Sequence, residues 1–507
     1  MFHWFAAIHG CAYKFRMTLF LHTLSCNAVN NKKDVHLKGK TMKKVLSASV
    51  LAALLVSCAS TQKSARKDLD MNLQIGNTEQ AIVMATDKAD LDVEKNELGN
   101  QLWGMQSASL YRLTKQYDQS NKFFDLIEDV MYQEDTESVL AEGAETFGSM
   151  LTNDSFLDYE QTMYDSIMVN TYKALNFTAL GDFENARVEW NRSDDRQRRA
   201  ADYFAEKING KKEEIAKEAE KEKEESGQNI DENVDKSLSQ SEKLLAEQGI
   251  DMSGWKAYEG YVNPFSTFMH GLFFMLTAQD KADVNKAVDS FKRVEGITNS
   301  SAASQTLSLA KDVLNGRKSK DNLNKVWVIF ENGRAAVKEE MRIDLPLFLV
   351  SGNVSYVGMA LPKIEEQHDY FNTLKIGNAE TEVIADMDRI IKAEFKEEFP
   401  LILTREITRA TAKTIIQKQL NDENPLLGLG ASLLQYATTS ADLRTWSLLP
   451  KNFQAAVVDA PSDNQLVIKS QGFAQPITVD IESGKNSIVY VRAVNNTMVP
   501  SVEVITL

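Results

Sequence analysis

Hydrophobic positions along the chain follow two rhythms, and the change between them falls near Lys325. From about residue 69 to 318, apolar side chains recur three and four residues apart and proline is scarce, which predicts amphipathic helices. Beyond 325 the apolar runs are short and bounded by turn residues. Val326-Trp327-Val328-Ile329-Phe330 runs into the turn Glu331-Asn332-Gly333, and further strands are predicted at 345–350, 354–361 and 372–376. Two amphipathic helices follow, at about 380–397 with Val383, Ile384, Met387, Ile390 and Ile391 inward, and at about 401–420 after Pro400. Including Leu426 to Tyr436, this helical insert reaches about 437. Strands at 453–459, 464–469, 476–481, 486–494 and 502–507 have the spacing of a small antiparallel sandwich.

Within the helical part a phrase recurs. Gly76-Asn77-Thr78-Glu79-Gln80-Ala81, Lys115-Gln116-Tyr117-Asp118-Gln119-Ser120, Gly181-Asp182-Phe183-Glu184-Asn185-Ala186 and Asp283-Val284-Asn285-Lys286-Ala287 each combine a turn or helix start with a small residue. Four places after that residue stand Phe124, Trp190 and Phe291 in the last three copies, and Ala85 in the first. A small residue beside a turn lets two helices cross closely, and the aromatic side chain fills the space above the crossing. Residues 81, 120, 186 and 287 are spaced near multiples of a 34-residue repeat, and Ala108 and Ala174 sit at the small position of a preceding helix. These hairpins resemble degenerate tetratricopeptide repeats. The expected fold class is therefore α+β: an all-α tetratricopeptide-like domain at 69–318, then a mixed β-sandwich domain at 325–507 with an inserted helical pair. A charged stretch at about 207–247, with both signs alternating and few apolar residues, is expected to be a solvated spacer.

The start of the chain reads differently. Met42-Lys43-Lys44 precedes an apolar run from Val45 to Val56, too short to span a bilayer, which ends in Leu55-Val56-Ser57-Cys58. That order is a lipoprotein signal peptide over 42–57, with Leu55, Val56 and Ser57 forming the lipobox and Cys58 the lipidated residue. Residues 1–41 are then expected to be an upstream extension, and 58–68 a tether. Ala59 and Ser60 follow Cys58 without an aspartate, which by analogy with enterobacterial sorting points to the outer membrane, on its periplasmic side.

Removing 1–57, which hold eight basic residues and one acidic residue, sharpens the charge. The full chain carries −15, and 58–507 carry −22 from 49 basic and 71 acidic side chains. So acidic a body repels nucleic acid, and its sole cysteine is Cys58. Only His270 and His368 remain among the histidines, which argues against metal centres and cysteine or serine–histidine nucleophiles, and no phosphate or dinucleotide motif is present. No cofactor and no metal are expected. His270, between Phe268 and Phe273, reads as a hydrogen-bonded core histidine. Glu339, Glu340 and Asp344 are the candidate carboxylates for an enzyme. Arg405, Arg409 and Lys413 form a basic stripe at helical spacing, able to meet an acidic partner or the acidic helix face at Glu394, Glu397 and Glu398. Asp442, Arg444 and Trp446 mark a corner between helix and sandwich, either structural or an exposed recognition point.

The sequence also resembles a family of uncharacterised Gram-negative lipoproteins with degenerate tetratricopeptide-like repeats and a C-terminal β-rich domain. The likeness rests on the lipobox, the repeats, Trp327 to Gly333, Arg342-Ile343-Asp344-Leu345-Pro346-Leu347-Phe348, Tyr356 to Pro362, and Ala441-Asp442-Leu443-Arg444-Thr445-Trp446, where the family has threonine in place of Leu443. The resemblance implies cell-wall assembly as a setting and no assigned reaction. The expected function is a membrane-tethered, non-enzymatic adaptor whose repeats hold an envelope protein partner. The alternatives are glycan binding and a carboxylate-dependent envelope enzyme acting on cell-wall polysaccharide.

Overall fold

The computed structural model describes residues 63–137, 159–226, 231–247, 250–348, 354–423 and 440–507, all within one compact unit of mixed helix and sheet. Helices α1 (63–74), α2 (Thr78–Ala89), α3 (Gln101–Leu113), α4 (Tyr117–Glu137), α5 (Met163–Leu180) and α6 (Phe183–Ser226) come first, with α7 (Asp231–Glu247) after them. Then follow α8 (Pro264–Leu276), α9 (Lys281–Thr298) and α10 (Ser301–Leu314). The pairs α3–α4, α5–α6, α8–α9 and α9–α10 are joined by short turns and pack as hairpins, α2 packs on α3 beside a small β1–β2 ribbon (Leu91–Asp92 and Glu97–Leu98), and α4 packs on α5.

The recurring phrases land on helix starts or first turns. The small residues Ala81, Ser120, Ala186 and Ala287 are completely buried, as are Phe124, Phe291 and the earlier Ala108 and Ala174. Asn77 caps α2 by accepting from Gln80 N, and Thr162 and Asp165 form a reciprocal capping box on α5. Gly181 ends α5 at φ +75°, donating back to the carbonyls of Phe177 and Thr178. A methyl group there would touch nothing, so Gly181→Ala isolates the backbone conformation, and it is expected to destabilise by about 1 kcal/mol in urea unfolding.

The β-rich part follows α10. A five-stranded sheet has the order β13 (Ser501–Thr506), β12 (Ser487–Ala493), β3 (Lys325–Asn332), β9 (Asn452–Asp459), β8 (Glu382–Asp386); β12 runs parallel to β3 and the other neighbours are antiparallel. Its side chains alternate between two cores. Val326, Val328, Phe330, Val489 and Val491 face a four-stranded sheet, ordered β11 (Ile477–Asp480), β10 (Gln465–Lys469), β6 (Lys375–Ile376), β7 (Ala379–Glu380). Trp327, Ile329, Phe453, Ala455, Ile488 and Tyr490 face the helices. The result is three layers, helices over one sheet over another.

The helix-facing side of the large sheet covers the inner helices. Every residue of α8 is buried, as a helix enclosed on all sides requires. Phe265 of α8 stacks on Phe453 with ring centroids 3.7 Å apart, and Trp327 Nε1 donates to Thr306 Oγ1 of α10 at 3.1 Å. Helix and sheet therefore share one hydrophobic core.

Three local expectations change. The insert is not a pair of helices: 382–386 is strand β8, with Val383 exposed, and one helix, α11 (Met387–Glu423), runs through Pro400. An internal proline costs about 3 kcal/mol, but Phe395, Phe399, Leu403 and Ile407, spaced by four, bury one face on both sides of it. Their partner is a long ribbon, β4 (Val337–Phe348) paired with β5 (Val354–Glu365). The charged stretch is also not simply a solvated spacer: part of it belongs to α6, and α7 packs on β4 and α11 through Val234 and Leu245. Residue 63, the first described one, is already helical although it lies inside the expected tether, with Ala65 and Leu69 buried. Among the described residues no helix is long and apolar enough to cross a membrane.

Candidate functional site

Cys58, Leu55, Val56 and Ser57 lie outside the described residues. Trp446 is fully buried, donates from Nε1 to Ser109 Oγ at 2.8 Å, and meets Tyr172 edge-on at 5.9 Å and Phe124 at 6.0 Å. Asp442 and Arg444 pair with each other at 2.8 Å, with the guanidinium 5.6 Å from the Tyr159 ring. Burial pushes the Asp442 carboxyl up, but the charge and hydrogen bonds of Arg444, with the charge of Lys338, together outweigh it and hold the group below its ordinary range. Arg405 meets Glu214 of α6 at 2.9 Å, and the buried Arg409 meets Glu406 at 3.3 Å. Lys413 lies on α11, and its side chain is outside the described residues.

The carboxylates considered for catalysis do not converge on a cleft. Glu339 pairs with Lys63 and Arg66, while Glu340 pairs with Arg342 at 2.9 Å and accepts from Ala441 N. Asp344 is exposed, and none of the three lines either cavity described below.

The first cavity lies at the seam between helices and sheet. It encloses about 40 Å³, room for a few waters, and is lined by Arg112, Tyr117, Tyr172, Glu331, Tyr490 and Arg492 among others. The Arg112 guanidinium lies 5.0 to 5.9 Å from the rings of Tyr490, Tyr172 and Tyr117 and donates to Asn176 Oδ1 at 2.6 Å. Glu331 accepts from the Tyr490 hydroxyl and pairs with Arg492 Nε at 3.2 Å. Burial first, then the charge of Glu331, pushes both Tyr172 and Tyr490 well above the ordinary phenol range, so neither supplies a base near neutral pH. With Glu331 paired to Arg492, Arg112 held among Asn176 and three tyrosine rings, and so little free volume, this cluster ties the layers together.

A second polar group is buried between α5, α6 and α11. Glu394 Oε1 accepts from Met163 N at the start of α5 at 2.8 Å, and Glu398, one turn later, meets Lys211 of α6 at 3.2 Å. Burial, and then the charge of Glu398, pushes Glu394 up to about 7; Glu398 is buried too, but Lys211 and Lys207 hold it well below the ordinary range. Asp165 is also buried, accepts from the Tyr159 hydroxyl at 2.7 Å, and is pushed up by burial. Carboxyls with pKa values driven apart can divide acid and base roles, but none of these three lines either cavity. The group was not foreseen from the sequence because its members come from 159–165, 207–211 and 394–398. Only the acidic four-residue spacing on α11 was visible.

The open recess lies on the outer side of α6 and α9, with α8 as its floor. Its volume is about 540 Å³, and its lining includes Arg198, His270, Asn285, Lys286, Ser290 and Arg293. His270 is buried, with Nδ1 2.9 Å from Ser290 Oγ and its ring 4.6 Å from Phe274. Burial pulls its pKa down to about 4, so the imidazole is neutral near pH 7. The size suits a small ligand or a short peptide segment, and the polarity suits an anion. Among the described residues no group of three or more histidine, cysteine or acidic side chains is arranged to hold a metal ion. Compared with family models, curated proteins and solved structures, the chain matches none.

Proposed function

We propose that this protein is a lipid-anchored envelope lipoprotein, carried on Cys58 at the periplasmic side of the outer membrane, that acts as a non-enzymatic scaffold. The observation that favours binding over turnover is the contrast between two cavities among the described residues. The seam cavity is small and its charged groups are already engaged, Glu331 with Arg492 and Arg112 with Asn176 and three tyrosine rings, whereas the recess is open, roomy and cationic on an acidic chain. A nucleophile, a base oriented toward it and an oxyanion-stabilising group do not meet in either lining. The helical part retains the degenerate tetratricopeptide-like reading, with a difference that matters for partners: the inner helices face the chain's own sheet, so a partner meets the outer helices. Cell-wall assembly is the setting we assign, from the resemblance of the sequence.

Crosslinking followed by affinity capture from membranes, with wild type beside Cys58→Ala, tests this. The scaffold reading expects Cys58→Ala to leave the membrane fraction and the wild type to recover specific envelope proteins. A Cys58→Ala protein still bound to membrane would sink the anchor, and wild-type capture without any reproducible partner would sink the scaffold.

A further inference from the structure

We infer that the recess between α6 and α9 binds an acidic peptide segment, gripped by Arg198, Lys286 and Arg293 above a neutral floor of His270 and Ser290. This names the partner chemistry of the proposed scaffold and rests on that reading. Charge complementarity is the first argument. The lining carries three cations against one carboxylate, Asp289, although the chain as a whole carries −15. Behind the lining, Asp194 is shared, meeting Arg198 at 2.7 Å and Arg293 at 2.9 Å, so one carboxylate serves two guanidiniums. Asp289 is already met by Lys292 at 3.4 Å. Lys286 has its ammonium 4.5 Å from the Phe274 ring and 3.3 Å from Asn191 Oδ1, and among the described residues no carboxylate pairs with it. The recess therefore keeps net positive charge.

Spacing is the second argument. Lys286 and Arg293 stand seven residues apart on α9, about 10 Å along its axis, and Arg198 approaches from α6. Cations spread in this way match carboxylates on separate residues better than the clustered oxygens of one phosphate. The floor adds a donor without adding charge. In the tautomer where Ser290 Oγ donates to Nδ1, the ring proton of His270 sits on Nε2, which has no hydrogen-bond partner among the described residues.

The test uses the full-length chain in mild detergent and a fluorescein-tagged tetraglutamate peptide read by anisotropy, with tetraglutamine as control and inorganic pyrophosphate as competitor. Tetraglutamate is expected to bind, and to bind more weakly as salt rises. Arg198→Glu and Lys286→Glu, both at exposed positions, should each weaken it at least tenfold, whereas Lys375→Glu on β6 should not. No binding, an equal loss with Lys375→Glu, or displacement by pyrophosphate at lower concentration than by unlabelled tetraglutamate would overturn the inference. Its failure is separable from that of the scaffold. If captured partners survive Arg198→Glu with Lys286→Glu, the recess is excluded and the scaffold stands; if tetraglutamate binds but no partner is captured, the scaffold falls and the recess stands.

Discussion

Replacing Trp446 by alanine is expected to lower the unfolding free energy by about 3–5 kcal/mol, a large share of the 5–15 kcal/mol that holds an ordinary domain together. The indole is fully buried between Phe124 of α4 and Tyr172 of α5, and its Nε1–H is taken by Ser109 of α3. Removing it leaves a cavity at the junction of three helices and the sheet's leading loop, and deprives the Ser109 hydroxyl of its donor. Trp446→Phe keeps most of the packing and loses the hydrogen bond, so its cost should be roughly 1–2 kcal/mol, the worth of a buried bond and part of a ring. Urea unfolding of both variants decides the matter. A loss below about 1 kcal/mol for the alanine variant would mean that Trp446 does not join the layers.

The second large effect depends on pH. Glu394 is pushed up to about 7 in the folded protein, first by burial and then by Glu398, against an ordinary value of 4.5. The folded state thus holds this proton more tightly than the unfolded chain does. The resulting stabilisation is fully present below about pH 4.5 and is lost as pH rises through 7; the gap corresponds to about 3 kcal/mol. Glu398 acts in the opposite sense. Burial works against its charge but Lys211 and Lys207 prevail, so its stabilisation is present above the ordinary carboxyl range and is lost as pH falls through about 2. Between pH 5 and 8, Glu394 therefore sets the slope for this pair. Glu394→Gln keeps an oxygen to accept from Met163 N and removes the titration. Between pH 5 and pH 8 wild type should lose up to about 3 kcal/mol more than the variant, read by urea unfolding at both values. Identical slopes would refute the assignment.

Much of the architecture was legible because it is written in local periodicity. Ala81, Ser120, Ala186 and Ala287 announced close helix crossings, and the apolar run Val326 to Phe330 before Glu331-Asn332-Gly333 announced a strand. What could not be read is long-range. The parallel pairing of Val328 with Val489 joins residues 161 apart, and nothing in either segment names the other. Pro400 signalled a helix end, but packing of Phe395 and Leu403 on the β4–β5 ribbon overrode it. The charges of α7 hid Val234 and Leu245, few in number but on one face. As for the sites, Trp446 was visible by type alone, while the recess joins α6, α8 and α9, so its lysine and two arginines could not be grouped before folding.

If Cys58 carries the proposed lipid, helix α1 limits how far the protein can reach. Ala65 and Leu69 are buried, Arg66 donates to Lys338 O at 2.8 Å and pairs with Glu339, and Arg334 meets Asp70, so α1 is fastened to the body from its first turn. With the proposed lipid on Cys58, residues 58 to 62 would separate the described body from the bilayer, and even fully extended they could span at most ~18 Å. That is less than the ~22 Å radius of gyration expected for a body of this size. Under the proposed anchoring the molecule would be on a leash shorter than itself: it could turn on the membrane surface but not cross the periplasm to meet a distant partner. Whatever the proposed scaffold holds would then have to come to the membrane or be long enough to span the gap.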